Sequence, residues 1–279
     1  MKTISCNFKL LSLSSLCSTA LLASPLALAG AWVPAKDSGY NKIAISNYEA
    51  TELFGNSNPD FKEFKGQNLS YYGEHGLGNN WAIYGSLLYQ DIEQTDTNNQ
   101  TLSSNGLGDT EIGLRKQWDT KSLVIASSFL VKTPFFYNKD AELPRGNGQH
   151  DYEARLLIGK SLNKFGYFGL EAGYRLRNGN PSDEYRYLVE YGFSATDKLY
   201  FRTKLDGIKS VKNADEAGGS NLSVTPEFDL GKFELTAGWT FGKNKAGSQW
   251  GIEATYNEDI FGSQALSGKG FQIGLTRVY

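Results

Sequence analysis

From about residue 39 onward the chain alternates between apolar and polar positions. In 167–177, Phe168, Leu170, Ala172, Tyr174 and Leu176 share one phase, and Tyr167, Gly169, Glu171, Gly173, Arg175 and Arg177 share the other. The next segment sets Tyr185, Tyr187, Val189, Tyr191 and Phe193 against Glu184, Arg186, Leu188, Glu190 and Gly192. Phe233, Leu235, Ala237, Trp239 and Phe241 alternate in the same way with Glu234, Thr236, Gly238, Thr240 and Gly242. A period of two belongs to β-strands, which send successive side chains to opposite faces. The pattern predicts twelve strands, near 39–50, 66–77, 81–93, 107–118, 122–133, 150–162, 167–177, 184–194, 198–211, 226–242, 249–260 and 269–279. The first two alternate poorly, the 226–242 strand has an alternative start at Asn221, and fourteen strands is the other count that the pattern admits.

Connections alternate in length. Gly78-Asn79-Asn80, Asp119-Thr120-Lys121, Lys164-Phe165-Gly166 and Ala195-Thr196-Asp197 are tight, whereas 51–65, 94–106, 134–149 and 212–225 are long and polar. Short turns at one end and long loops at the other are the layout of an outer-membrane barrel, apolar outside and polar within. A soluble sandwich also alternates. Against it stand Trp81, Trp118, Phe193, Phe241 and Trp250, which all fall in the apolar phase beside short turns, as an interfacial girdle would. The expected fold is all-β: a single antiparallel up-and-down transmembrane β-barrel of about twelve strands.

The first residues carry a separate signal. Lys2 and Lys9 precede an apolar stretch from Leu10 to Leu28, and Ala27-Leu28-Ala29 fits the small-residue cleavage pattern of an export signal. Residues 1–29 are therefore expected to be a cleaved signal peptide and 30–279 the barrel. Cleavage would remove both cysteines, Cys6 and Cys17, leaving no disulfide and no thiol nucleophile. It would also remove two lysines from the 28 Lys+Arg, so 26 basic side chains would face 30 acidic ones. That balance argues against a nucleic-acid partner. Later apolar runs, such as 123–131, fall well short of the ~20 residues of a membrane helix.

The closing pattern Phe271-x-Ile273-x-Leu275-x-x-x-Tyr279, with Arg277 in the same phase, resembles the assembly signal of outer-membrane barrels. The run Gly106-Leu107-Gly108-Asp109-x-Glu111-x-Gly113 resembles a motif of the phenol meta-degradation pathway barrels and their XagA-like relatives. So does Arg175-x-Arg177-x-Gly179-x-Pro181-x-Asp183-Glu184-x-Arg186, and Ala29-Gly30-Ala31-Trp32 is similar to that family's mature start. Near the last loop, Gly262-Ser263-Gln264 stands where the family carries Gly-Arg-Asn. The resemblance implies an outer-membrane channel for small organic molecules, or a barrel that serves surface polysaccharide.

Candidate chemistry is sparse. The two histidines, His75 and His150, are far apart in sequence, and neither has an obvious serine partner for a lipid-modifying triad. No metal-ligand cluster or calcium loop is present, the run Asn56-Ser57-Asn58-Pro59-Asp60 lacking alternating acids and a central glycine, and no cofactor is expected. What remains is a set of charges in the lumen phase: Glu111, Arg115, Glu153, Arg155, Glu171, Arg175, Arg177, Arg186, Glu190, Arg202, Lys204 and Asp206. They either line a selective passage or merely pair with one another and fill it. Three-residue turns at 164–166 and 195–197 would set Leu162 opposite Phe168, Glu153 opposite Arg177, Phe193 opposite Leu199, Glu190 opposite Arg202 and Arg186 opposite Asp206.

The sequence thus predicts a non-enzymatic monomer in a Gram-negative outer membrane. It would pass or bind a small solute, hydrophobic or aromatic solutes included. Its expected partners are membrane lipid and the barrel assembly machinery, which would read the strand ending at Tyr279. The alternatives are a barrel for polysaccharide export or attachment and an outer-membrane lipid-modifying enzyme.

Overall fold

A computed structural model describes residues 30–55, 60–118, 122–215, 222, 225–242 and 247–279. The proposed signal segment with both cysteines, residues 56–59, the turn at 119–121 and the alternative strand start at Asn221 lie outside the described residues.

The strands are β1 (Gly39–Phe54), β2 (Phe61–Gly78), β3 (Trp81–Asp96), β4 (Thr101–Leu107), β5 (Thr110–Trp118), β6 (Val124–Thr133), β7 (Asp151–Ser161), β8 (Tyr167–Arg177), β9 (Glu184–Ser194), β10 (Leu199–Ser210), β11 (Asp229–Phe241), β12 (Gln249–Ser263) and β13 (Ala265–Val278). All but β4 form a closed antiparallel ring of twelve, in which β3 pairs with β5 and β1 seals against β13. The fourth element lies outside that ring and pairs only with the upper part of β3. Tyr89 faces Leu107 while Ser86 faces Glu111, so three steps on β3 span four on the other chain. Gly108 and Asp109 absorb the extra residue, so the expected 107–118 strand begins at Thr110, and β4 forms in the span 94–106 expected to be a loop.

Two expectations about the rim are corrected. The spans 51–65 and 94–106 are mostly strand, and β12 and β13 meet at Gln264, a left-handed turn residue with φ 52°. Hairpins β1–β2, β3–β4 and β12–β13 therefore stand tall at the long-loop end.

The expected register of two hairpins is also corrected, by two residues each. Ser161 pairs with Tyr167 across residues 162–166, where Asn163 and Gly166 take positive φ in a single 3₁₀ turn. Ser194 pairs with Tyr200 across 195–199, and Thr196 Oγ1 accepts bonds from Lys198 and Leu199 N–H. Each turn holds five residues, not three. Leu162 consequently lies in the turn with Lys160 opposite Phe168, Glu153 faces Arg175, Asp151 faces Arg177, Phe193 faces Phe201, Arg202 faces Gly192 and Arg186 faces Ile208. A two-residue slip conserves parity, so no side chain changes face.

The outside is apolar. Ile45, Ile112, Leu170, Leu235, Ile252 and Ile273 are exposed along it, and Trp81, Trp118, Phe241 and Trp250 are exposed beside the short turns. Arg277 lies between Trp250 and Tyr279, 5.5 and 5.4 Å from their ring centres. Its stem can follow the apolar wall while its charge sits among interfacial aromatics. Inside, tyrosines lie over cross-strand glycines. A Cβ on Gly192 or Gly238 would overlap the rings of Tyr167 and Tyr200.

Both ends of the lumen are partly filled. At the short-turn end residues 30–34 turn inside the wall, and the exposed Ala35, Lys36 and Asp37 lead along the rim to β1. Ala31 packs on Ala126 and Leu157, Trp32 meets Tyr167 edge-on at 5.5 Å over Gly159, and Val33 N–H donates to Gln117 Oε1 at 2.9 Å. At the other end Leu143, from the 134–149 connection, is buried against Ala50, Phe64, Ile92 and Leu266. Arg145 anchors that connection on β4, donating to Leu107 O, Asn105 O and Ser104 Oγ at 3.1, 2.6 and 2.9 Å. Its guanidinium lies across Gly106, whose φ of 134° suits glycine.

Candidate functional site: the barrel lumen

The register places all twelve charges singled out in the sequence on the lumen face, where all but Asp206 join ion-pair groups. Arg175 bridges Glu153 at 2.6 Å and Glu111 at 2.9 Å. Arg155 binds Glu171 at 2.9 Å and contacts Glu153. Arg177 reaches Glu184 at 2.9 Å and Asp151 at 3.9 Å, and Glu184 also binds Arg186 at 2.5 Å. On the facing wall Glu190 lies 3.9 Å from Arg202 and 3.7 Å from Lys204. The expected Glu190–Arg202 pair is thus formed on the diagonal. Glu153 takes Arg175 in place of Arg177, and Arg186 takes Glu184 in place of Asp206. Asp206 lies opposite Lys232 on β11.

Several participants were not among the predicted residues. Glu74, 2% exposed, holds Arg115 at 2.9 Å and accepts from Tyr72 OH. Glu253 gathers Lys42 at 2.8 Å, Arg202 at 3.4 Å and the hydroxyl of Tyr200 at 2.7 Å. Lys132 joins Asp109 and Asp151 at 2.9 and 2.8 Å. Lys42 and Glu74 escaped notice because β1 and β2 alternate weakly, while parity alone could have found Glu234 and Glu253.

Just outside the spanning segments, Asp183 accepts from Arg177 N–H and Tyr174 OH, both at 2.8 Å, and from Asn213 at 3.1 Å. Burial pushes its carboxyl up, and these hydrogen bonds outweigh burial to hold it below the usual range. Tyr137, raised by burial and by its 2.6 Å bond to Asp109, ties the long connection to the β4–β5 break. The two Gly- and Arg-rich motifs therefore hold the rim connections: one binds 134–149, the other binds Asn213.

Among the described residues, adjoining cavities lie in the lumen. One of about 360 Å³ sits beneath Leu222 and Leu266 at the long-loop end, and one of about 240 Å³ lies at the waist beside Lys42, Arg202 and Lys204. Glu234, Asn257 and Gln272 line both, so the spaces adjoin. His75 stacks on Tyr279 near the short-turn rim and His150 lies edge-on to Phe135 at the opposite end. Among the described residues no group of three or more His, Cys, Asp or Glu is placed to hold a metal ion.

A closed antiparallel ring with an apolar exterior, an aromatic belt and a charged interior defines the class: a transmembrane β-barrel of the outer-membrane, porin-like type. Among solved structures, the fold is similar to the COG4313 outer membrane channel of Pseudomonas putida F1, at a TM-score of 0.71 and 10% identity, covering 89% of this chain and 97% of that one. It is also similar to the NanC porin, at a TM-score of 0.51 and 10% identity over 84% and 98% of the two chains. A comparison with protein-family models gives no match, and neither does one with curated proteins.

Proposed function

We propose that this protein is a monomeric outer-membrane channel that passes small organic solutes, with its short turns and both chain ends on the periplasmic side. The observation that carries this reading is the adjoining pair of cavities running from the long-loop end to the waist. Support comes from the fold shared with outer-membrane channels. The resemblance of the Gly106–Gly113 and Arg175–Arg186 motifs to the phenol meta-degradation barrels points to the same solute class, including hydrophobic and aromatic molecules. The final strand, with Phe271, Ile273 and Leu275 outward and Tyr279 at its end, suits recognition by the barrel assembly machinery.

In this reading the ion pairs are the constriction and residues 30–38 are a stopper beyond it. Solute entering from outside would rest under Leu143, pass the Lys42–Glu253–Arg202 group, and leave past Trp32. Recording from protein in a planar bilayer tests the claim. Small openings are expected for the intact barrel and larger ones after deletion of 30–38. Absence of ion and solute passage in both forms would refute the channel.

A further inference from the structure

The upper cavity contains a hydrogen-bonding imbalance. Asn68 Oδ1 on β2, Gln90 Oε1 on β3 and Asp259 Oδ1 on β12 are buried side-chain oxygens with no hydrogen-bond partner among the described residues, and all three residues line the cavity. Asp259 is 94% buried, being 6% exposed. Its other oxygen is held by Tyr48 OH at 2.6 Å and by Gly268 N–H at 3.3 Å, so the carboxylate is fixed with one acceptor spare. Asn68 is likewise held, by a long 3.5 Å bond from Nδ2 to Ser46 Oγ, and stands directly opposite Gln90 in the β2–β3 ladder. Buried acceptors without protein donors are costly and are met by water or by a donor-bearing molecule, so several of them around one roomy space offer ready acceptors to a hydroxyl-bearing solute that displaces water. The wall is otherwise apolar on one side, where Phe64, Ile92 and Leu266 pack together, with Tyr48 against Phe64 at 6.2 Å.

We infer that this cavity is a binding site for a neutral, polyhydroxylated small solute of the sugar class. A pyranose has hydroxyl donors around its edge and an apolar C–H face, which complement spare oxygens on separate strands and an aromatic wall. A hydrocarbon would leave all three acceptors unpaired, and a purely anionic ligand would meet two carboxyl side chains, Asp259 and Glu234, against the one cation Lys232. A volume of about 360 Å³ falls at the small end of ligand pockets, ~300–1,000 Å³, so the site suits one compact molecule. The inference rests on the channel reading only for how the solute arrives, since the three spare oxygens all lie on barrel strands.

The test is calorimetric titration of the full-length protein in detergent with glucose, maltose and, as the apolar comparison, phenol. Bilayer conductance is recorded on the same preparation. Saturable sugar binding is expected, weakened roughly tenfold in Asp259→Leu and in Gln90→Leu, as loss of one hydrogen bond to a buried partner would give. Folded barrels are verified by their resistance to unfolding in SDS, and should one variant fail to fold, the other still decides. Phenol binding in place of sugar, or sugar binding equally well in every folded variant, would overturn the site. So would the absence of sugar binding in the wild-type protein. Conductance without sugar binding refutes the site and leaves the channel standing, whereas sugar binding without conductance does the reverse.

Discussion

At the scale of single residues, the lumen is held by charges that have given up water for one another. Removing one partner should therefore cost more than a surface ion pair would. Arg115→Ala leaves Glu74 almost fully buried without its cation. It should lower stability by about 3–5 kcal/mol, measured by urea unfolding in lipid vesicles. Asp183 gives a pH-dependent case. Its folded carboxyl titrates below the unfolded range, so its contribution is complete above the unfolded value near ~3.9 and is lost as pH falls through the lower folded one. Exchange of the Arg177 amide, which donates to Asp183, should accelerate in that acid window relative to Asp183→Asn, which cannot titrate. Identical pH profiles for both proteins would contradict this. The sequence showed which charges face inward, because parity follows from counting. It did not show which of them pair, because a diagonal bond such as Glu190–Arg202 depends on side-chain reach across a particular register.

At the scale of the strand, the period of two was enough to place nearly every element, and the turns were where counting failed. The 195–199 connection ends where it does because Thr196 Oγ1 takes up Lys198 and Leu199 N–H, extending the turn by two residues. Nothing in the alternation records that. Likewise the break between β4 and β5 follows from Gly108 and Asp109 absorbing one surplus residue, with Arg145 and Tyr137 bound to the same place from a distant connection. The outward face can be probed by charge. Leu235→Arg, in the middle of β11 and exposed to the apolar surround, should destabilise the folded barrel by about 2–4 kcal/mol. Equal unfolding midpoints for Leu235→Arg and the unmodified protein would mean that β11 does not face lipid at this position. Arg277 shows why depth matters, since beside Trp250 and Tyr279 a native arginine is accommodated.

At the scale of the whole molecule, the two ends should differ in what reaches them. A cysteine at Asn138, in the long connection, should react with an impermeant maleimide on intact cells, and one at Asn80, in a short turn, should not. Reaction at Asn80 alone would turn the barrel over. The ring itself is sealed by β1 against β13, the pair most distant in sequence, and Gly39 and Tyr279 exchange backbone hydrogen bonds at the seam. Residues 30–38 run straight into the first of these strands, and Ala31 and Trp32 among them pack on strands made much later. Every other neighbouring pair can zip locally, but this one waits for the whole chain, and closing so long a loop carries the largest entropic delay. Until β13 arrives, Trp32 has an incomplete wall around it. Completion of the seam then closes the wall around the leading segment, so the step that finishes the ring is also the step that encloses Trp32.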